Sequence, residues 1–214
     1  MSEAADNLAP IEAKAGYHHG DLHQQLINAV HTLVEEKGAD GFSVAEAARK
    51  AGVSSAAPYR HFKDKDAILR AAVLDAMEKM RAAMEAVMAP HPVGSPEAVN
   101  ALGQHYIDFA RERPGMFRLM FGITRSEESD CAVADKGSEV FGIVIKAVAD
   151  YMGISADDPE ARRRAYILWT VVHGHSWLTI DGKADQQKID FPEPELLQAV
   201  SKGVLGRPTS ASDH

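Results

Sequence analysis

One short segment constrains the fold of this chain more than any other, because it contains two short helices joined by a tight turn. The segment reads FSVAEAARKAGVSSAAPYRHFKDKDAIL, from Phe42 to Leu69. Ser43 is a typical N-cap residue, and Gly52 ends the helix that follows just before Ser54 begins the next. Pro58 lies near the first turn of this next helix, where its missing N–H costs least, although its ring can still perturb a short helix. The pattern predicts a helix-turn-helix unit.

Apolar side chains recur every three or four residues on both sides of this unit, as in amphipathic helices. The periodicity predicts a first helix from about Asp21 to Gly38 and a long helix from about Asp64 to Pro90. Further helices are predicted from Pro96 to the interruption at Pro114, and at about 116–121, 133–152, 159–180 and 193–205. The sequence therefore predicts an all-α fold, in which an N-terminal three-helix unit is joined by a long helix to a C-terminal helical domain.

Composition favours a reducing compartment and no membrane contact. The 214 residues are 45% hydrophobic, which is enough for a sizeable core. Cys131 is the single cysteine, so no intrachain disulfide can form, and no apolar run approaches the roughly 20 residues of a membrane helix. The polar start MSEAADNLAPIEAK lacks the basic and apolar blocks of a signal peptide. We expect a cytoplasmic protein without a membrane partner.

The charge distribution favours a local nucleic-acid contact over bulk attraction. The net charge is -8, which argues against a chain that coats nucleic acid. Between Ser43 and Arg70, however, the bases Arg49, Lys50, Arg60, Lys63, Lys65 and Arg70 outnumber the acids Glu46, Asp64 and Asp66. A helix-turn-helix unit places one helix in the major groove, with its N-terminal residues at base edges and nearby basic side chains at phosphates. The sequence predicts this use of the segment.

The same segment resembles the DNA-binding domain of the TetR family of transcriptional regulators, from about Tyr17 to Leu69. The resemblance rests on HHGDL before the first helix and on the pattern AxxAGVSxxxxYRHFxDKxAIL. It implies contacts with double-stranded operator DNA by Ser43, Ser54, Ser55, Ala56, Ala57, Tyr59, Arg60, His61 and Lys65. Tyr59, His61 and Lys65 are expected at phosphates, and the short side chains at 54–57 are expected at base edges.

Two features of the segment leave its base contacts open. Arg60 could reach guanine, although a phosphate contact is favoured. Ala57 and Pro58 stand where many relatives have a small residue followed by leucine, so the recognition helix is expected to start differently.

Tryptophan and histidine mark the C-terminal half. In YILWTVVHGHSWLTIDG, Trp169, His173 and Trp177 follow at four-residue steps and share one face of a helix. This segment, together with RERPGMFRLMFG upstream, resembles the TetR subgroup whose regulatory domain, the WHG type, is named for its Trp and His-Gly signature. His173 and His175 cannot share an ion on a helix, because side chains two residues apart point roughly 200° apart. No metal and no cofactor are predicted.

Aromatic and thioether side chains suit an apolar ligand pocket, because methionine adapts its shape easily. The candidate ligand-binding residues are Met77, Met80, Met84, Phe109, Phe117, Met120, Phe121, Phe141, Trp169, His173 and Trp177. Ordinary core packing is the alternative for each of them, and a histidine among aromatics is more often a core residue than a ligand contact.

Together these features predict a ligand-responsive regulator, a repressor that binds a palindromic operator as a homodimer and is released by a small apolar or aromatic effector. The predicted domains are a disordered arm at 1–16, a helix-turn-helix domain at 17–64, a helical regulatory and dimerisation domain at 65–206 and a disordered tail at 207–214. Pairing is expected through the helices near 159–180 and 193–205, since exposed apolar faces need a partner.

Two other classes of function fit the sequence less well. An enzyme would need a nucleophile with its base, a glycine-rich phosphate loop or spaced metal ligands. None is present in the sequence, and His105 with Asp108 is more simply a hydrogen-bonded pair on a helix, so we expect no catalysis. A helical adaptor that has lost DNA binding would be recognised by regulation that is insensitive to Tyr59→Ala and Lys65→Ala.

Overall fold

The computed structural model describes residues 19–122, 131–186, 188 and 191–206. Its α-helices are α1 (His19–Lys37), α2 (Val44–Lys50), α3 (Lys65–Met88), α4 (Pro96–Glu112), α5 (Pro114–Gly122), α6 (Cys131–Met152), α7 (Pro159–Ile180), α8 (Lys183–Gln186) and α9 (Glu193–Leu205). No strand occurs among the residues described, so the all-α prediction is confirmed. The arm at 1–16 and the tail at 207–214 lie outside the described residues. No helix in the described ranges is long and apolar enough to cross a membrane.

Side-chain caps fix where several of these helices begin. Ser43 Oγ accepts from the N–H of Glu46 (3.2 Å), and Ser95 Oγ accepts from the N–H of Ala98 (3.2 Å), as their sequence positions predict. Asp158 caps α7 in the same way through the N–H of Glu160, with proline at the first helical position. Each bond satisfies a backbone donor that the helix leaves free, so these boundaries are set locally by the sequence.

The second half of the helix-turn-helix unit is tighter than the α-helix predicted from Ser54. Only a 3₁₀ helix, Pro58–Arg60, is formed there. The N–H of Ala57 donates to Ser54 O (3.0 Å) and that of Arg60 to Ala57 O (3.2 Å), so both bonds span three residues. Pro58 explains the difference, because it has no N–H to donate to Ser54 and its ring crowds the preceding turn.

The long helix α3 connects the helix-turn-helix unit to the C-terminal half. One side of α3 is buried along its whole length, from Ile68 to Met84, first against α1 and then against α4 and α6. A second, smaller core lies between α4, α5, α7 and α9. Its buried members are Tyr106, Ile107, Ala110, Phe117, Val172 and Leu197.

A carboxylate joins the two halves at the start of α5. Glu35, on α1, accepts hydrogen bonds from the backbone N–H groups of Gly115 (2.8 Å) and Met116 (3.0 Å). The helices approach so closely that a Cβ on Gly115 would lie 2.5 Å from Val34 O. Only glycine fits there without a backbone shift. The end of α1 is therefore attached directly to α5.

Candidate functional site

The helix-turn-helix unit presents its predicted contact residues on the protein surface. Ser43, Ser54, Ser55, Ala56, Tyr59, Arg60 and His61 are exposed, while Ala57 and Lys65 are half-buried. The side chain of Tyr59 is 61% exposed, whereas that of neighbouring Phe62 is only 6% exposed. Phe62 is thus the aromatic anchor of the unit, and Tyr59 is free to contact a partner.

Cations without acidic partners accompany this surface. Among the described residues, no carboxylate pairs with Arg60 or Lys63, and Lys65 Nζ lies 4.6 Å from the centre of the Phe42 ring. In contrast, Arg49 lies 3.7 Å from Glu46 and Lys50 lies 2.8 Å from Glu36. The cations after Pro58 therefore keep their charge available for phosphate, while those of α2 are partly neutralised.

Sequence analysis missed His23, which the fold brings to the same surface. His23 is exposed on α1, its ring stacks on Phe62 at 4.9 Å between centroids, and it meets His61 edge-on at 6.1 Å. Its neighbour Leu22 is buried in the core, but nothing local to the sequence shows that the next residue reaches the helix-turn-helix unit. The contact arises only when α1 packs on that unit.

A cavity of about 330 Å³ lies among α3, α4, α5, α6 and α7. Of the predicted ligand-binding residues, Met77, Met80, Met84, Met120, Phe121, Phe141 and Trp169 line it. Phe109, Phe117, His173 and Trp177 do not line it; they pack in or against the second core. The lining also includes residues that sequence analysis did not select, namely Tyr106, Ala134, Gly137, Ser138, Val140 and Val144. Within the part of the chain that the structure describes, no charged side chain belongs to this wall.

A hydrogen-bonded cluster of four side chains adjoins the cavity. Trp169 Nε1 donates to Tyr106 Oη (3.2 Å), Tyr106 Oη lies 2.8 Å from His173 Nδ1, and Trp177 Nε1 donates to His173 Nε2 (3.0 Å). The buried ring of Phe117 packs against His173 with centroids 5.5 Å apart. Burial lowers the pKa of His173 and raises the pKa of Tyr106. Both groups are therefore held in their uncharged forms.

The neutral state of His173 predicts that stability falls in mild acid. Burial also lowers the pKa values of His31 and His105, so the unfolded chain takes up these protons first, near its ordinary pKa of about 6.5. The free energy of unfolding should therefore be highest above that pH and should fall from pH 7.5 to pH 5.5. His173→Gln keeps an acceptor for Trp177 and a donor for Tyr106 without titrating, so we expect a smaller fall.

Urea unfolding at the two pH values measures this effect. The matched control is His91→Gln, which removes a histidine outside the cluster. An equal fall for the wild-type protein and His173→Gln would contradict the prediction.

The structure separates the residues considered for metal binding or catalysis. His175 Nε2 lies 3.3 Å from Glu193, whereas His173 bonds to Tyr106 and Trp177. Within the described ranges, no group of three His, Cys, Asp or Glu side chains could hold a metal ion. Asp108 bonds to Gln104 and Arg111, so the hydrogen bond that the sequence suggested between His105 and Asp108 is not formed among the described residues.

Family comparisons agree with this geometry. The model described as "Bacterial regulatory proteins, tetR family" matches residues 26–72. The model described as "Tetracyclin repressor-like, C-terminal domain" matches residues 99–199. Together the two models cover more than half of the chain, on both sides of the long helix.

Individual proteins are also similar to this chain in sequence or in structure. The HTH-type transcriptional regulator BetI of Cronobacter sakazakii is 35% identical over 75 residues, which are 35% of this chain and 37% of BetI. The chain thus spans well under half the length of this curated relative. A protein with unknown function from Rhodococcus sp. RHA1 has a similar structure, with a TM-score of 0.75, 26% identity and coverage of 90% of this chain and 97% of that one. A tetR-family transcriptional regulator from Streptomyces coelicolor shares the fold at 16% identity, with a TM-score of 0.68 and coverage of 88% and 80%.

Proposed function

Because the chain belongs to the TetR family of bacterial regulatory proteins, we propose that it is a ligand-responsive repressor that binds a palindromic operator as a homodimer. The observation that carries this proposal is the exposed row of Tyr59, Arg60 and His61 beside cations that no carboxylate neutralises among the described residues. Such a surface meets phosphates and groove edges, which are negatively charged and rich in hydrogen-bond acceptors.

The base readout of this surface is limited by its short side chains. Residues 54–57 offer two serine hydroxyls and two alanine methyl groups, and the tightened segment leaves no long α-helix to lay in a groove. Sequence preference then depends on operator shape and on the spacing of half-sites, besides direct contacts. We expect a change in half-site spacing to weaken binding more than most single-base changes.

A second copy of the chain is the partner that fits the exposed side of α7. Tyr166, Ile167 and Leu178 are large apolar side chains that remain between 43% and 57% exposed. Gly174 lies between them in sequence with open space where a Cβ would be, so another helix can approach closely. Gly203 of the neighbouring α9 is equally open. Exposed apolar area of this kind is stabilised when two identical patches pair about a two-fold axis.

The apolar cavity supplies the site for an inducer. A small apolar or aromatic molecule would fill the space between Met77, Met120 and Trp169. If it binds the DNA-incompetent arrangement of the dimer more tightly, it depletes the operator-binding form by that difference in affinity. We also assign the regulatory domain to the WHG subgroup, with support from the contact between His173 and Trp177, and we place the protein in the cytoplasm, where it meets operator DNA.

The proposal is tested with the full chain and DNA duplexes that it selects from a random library. We expect analytical ultracentrifugation to show a dimer and fluorescence anisotropy to show salt-sensitive, site-specific binding. Ile167→Glu should yield monomers and lose most of the operator affinity. Val93→Glu is the matched control, because Val93 is 84% exposed on the α3–α4 connection and should leave both properties unchanged. Selection of no sequence, or full affinity in a monomeric Ile167→Glu variant, would refute the proposal.

A further inference from the structure

The hydrogen bonds beside the cavity fix the proton positions on His173. The indole N–H of Trp177 can only donate, so His173 Nε2, 3.0 Å away, must be the unprotonated nitrogen. A neutral imidazole carries one proton, which therefore sits on Nδ1. Burial, which lowers the pKa of His173, keeps the ring in this neutral form. The Nδ1–H then donates to Tyr106 Oη at 2.8 Å.

This assignment also fixes the role of Tyr106. Its oxygen already accepts from His173 and from the indole N–H of Trp169 (3.2 Å). A phenol oxygen has two lone pairs, and both are now used. Its own O–H proton has no acceptor among the described residues, although Tyr106 is only 8% exposed. A buried donor without a partner destabilises the protein, and a hydrogen bond to a ligand acceptor removes that cost.

Tyr106 lies where a bound ligand can supply the missing hydrogen-bond acceptor. Tyr106 and Trp169 line both the 330 Å³ cavity and a smaller adjoining one of about 50 Å³. Among the described residues, the wall of the larger cavity has no cationic side chain that would compensate the burial of a carboxylate or phosphate. An uncharged carbonyl oxygen carries no such penalty.

We propose that the effector is an uncharged, mainly apolar molecule with a carbonyl oxygen that accepts a hydrogen bond from Tyr106. The inference rests on the ligand-responsive function proposed above and adds the chemical class. The site distinguishes hydrogen-bond acceptors from donors. A carbonyl accepts a bond from Tyr106, whereas a ligand group that can only donate finds no free lone pair on Tyr106.

Two probes of the same shape test the proposal, 4-phenyl-2-butanone and butylbenzene, in which a methylene replaces the carbonyl. The chain has two tryptophans, Trp169 and Trp177, and both belong to this cluster, so their fluorescence reports binding locally. We expect Tyr106→Phe to weaken binding of the ketone about 5- to 10-fold, the worth of one hydrogen bond, and to change butylbenzene binding less than twofold.

The matched control is Tyr151→Phe, which removes a buried hydroxyl that bonds to Gly206 O away from the cavity and should leave both affinities unchanged. A second measurement needs no variant: long-range ¹H–¹⁵N spectra of the wild-type protein should show His173 protonated on Nδ1.

Equal weakening of both probes by Tyr106→Phe, protonation of His173 on Nε2, or no saturable binding of either probe would overturn the inference. Each of these results is compatible with site-specific DNA binding. Loss of DNA binding itself would instead refute the proposed function, so the two failures are distinguishable.

Discussion

Replacing Tyr59 and His61 together by alanine should weaken operator binding by at least about 100-fold at constant salt, because the dimer loses four hydrogen bonds to phosphate, two in each half-site. Both side chains are exposed, so their removal takes little packing from the fold. Fluorescence anisotropy on the selected duplex measures the affinity, and thermal unfolding should show a nearly unchanged melting temperature.

Single variants separate the contributions to this loss. Tyr59→Phe keeps the ring and removes only the hydroxyl, so it should weaken binding less than Tyr59→Ala. Lys65→Ala should lower the slope of log affinity against log salt by about two, because the dimer loses one phosphate contact in each half-site. Lys146→Ala is the control, since this lysine lies on α6 and pairs with Asp150. Unchanged affinity in the double alanine variant would show that residues other than Tyr59 and His61 hold the operator.

Phe117→Ala should lower the free energy of unfolding by about 3–5 kcal/mol, the range found when a large core side chain is removed. Phe117 is fully buried, and its ring lies 5.0–5.8 Å from the rings of Tyr106, Phe121, His173 and Trp177. Urea unfolding monitored by circular dichroism measures the change.

The control for this substitution lies on the same helix. Phe121 is 37% exposed, so Phe121→Ala removes less buried area and should cost less than half as much. Similar costs for the two variants would show that the second core relaxes around the missing Phe117 ring, contrary to the packing described above.

Local patterns explain which helices the sequence predicts well. The helices Pro159–Ile180 and Glu193–Leu205 coincide with their predicted ranges, because apolar periodicity and a proline in the first turn mark them within a few residues. The third helical segment is predicted less well. Whether this segment forms an α-helix depends on whether its first turn can accommodate Pro58. The segment is too short for helix propensity to outweigh one missing hydrogen bond.

The cavity shows where sequence patterns stop being informative. Met116, Phe117, Met120 and Phe121 all lie on α5 and are equally apolar in sequence, yet only Met120 and Phe121 line the cavity. An apolar helix does not indicate which of its sides meets empty space and which meets other side chains. Tyr106 lies on the apolar side of α4, but its hydroxyl gains its role only from Trp169 and His173, which are more than sixty residues away.

The two hydrogen bonds between Glu35 and the first turn of α5 connect α1 to α5, and each of these helices reaches a different surface of the protein. The far end of α5 carries Met120 and Phe121 in the cavity wall, and the opposite end of α1 carries His23 against His61. A shift of α5 that kept the bonds of Glu35 would carry α1 and His23 along, whereas one that broke them would leave two N–H groups unpaired, at about 1–3 kcal/mol each. Cavity occupancy and the shape of the surface around His23 and His61 would then be linked. By linkage, operator DNA would weaken effector binding by the same factor by which the effector weakens operator binding.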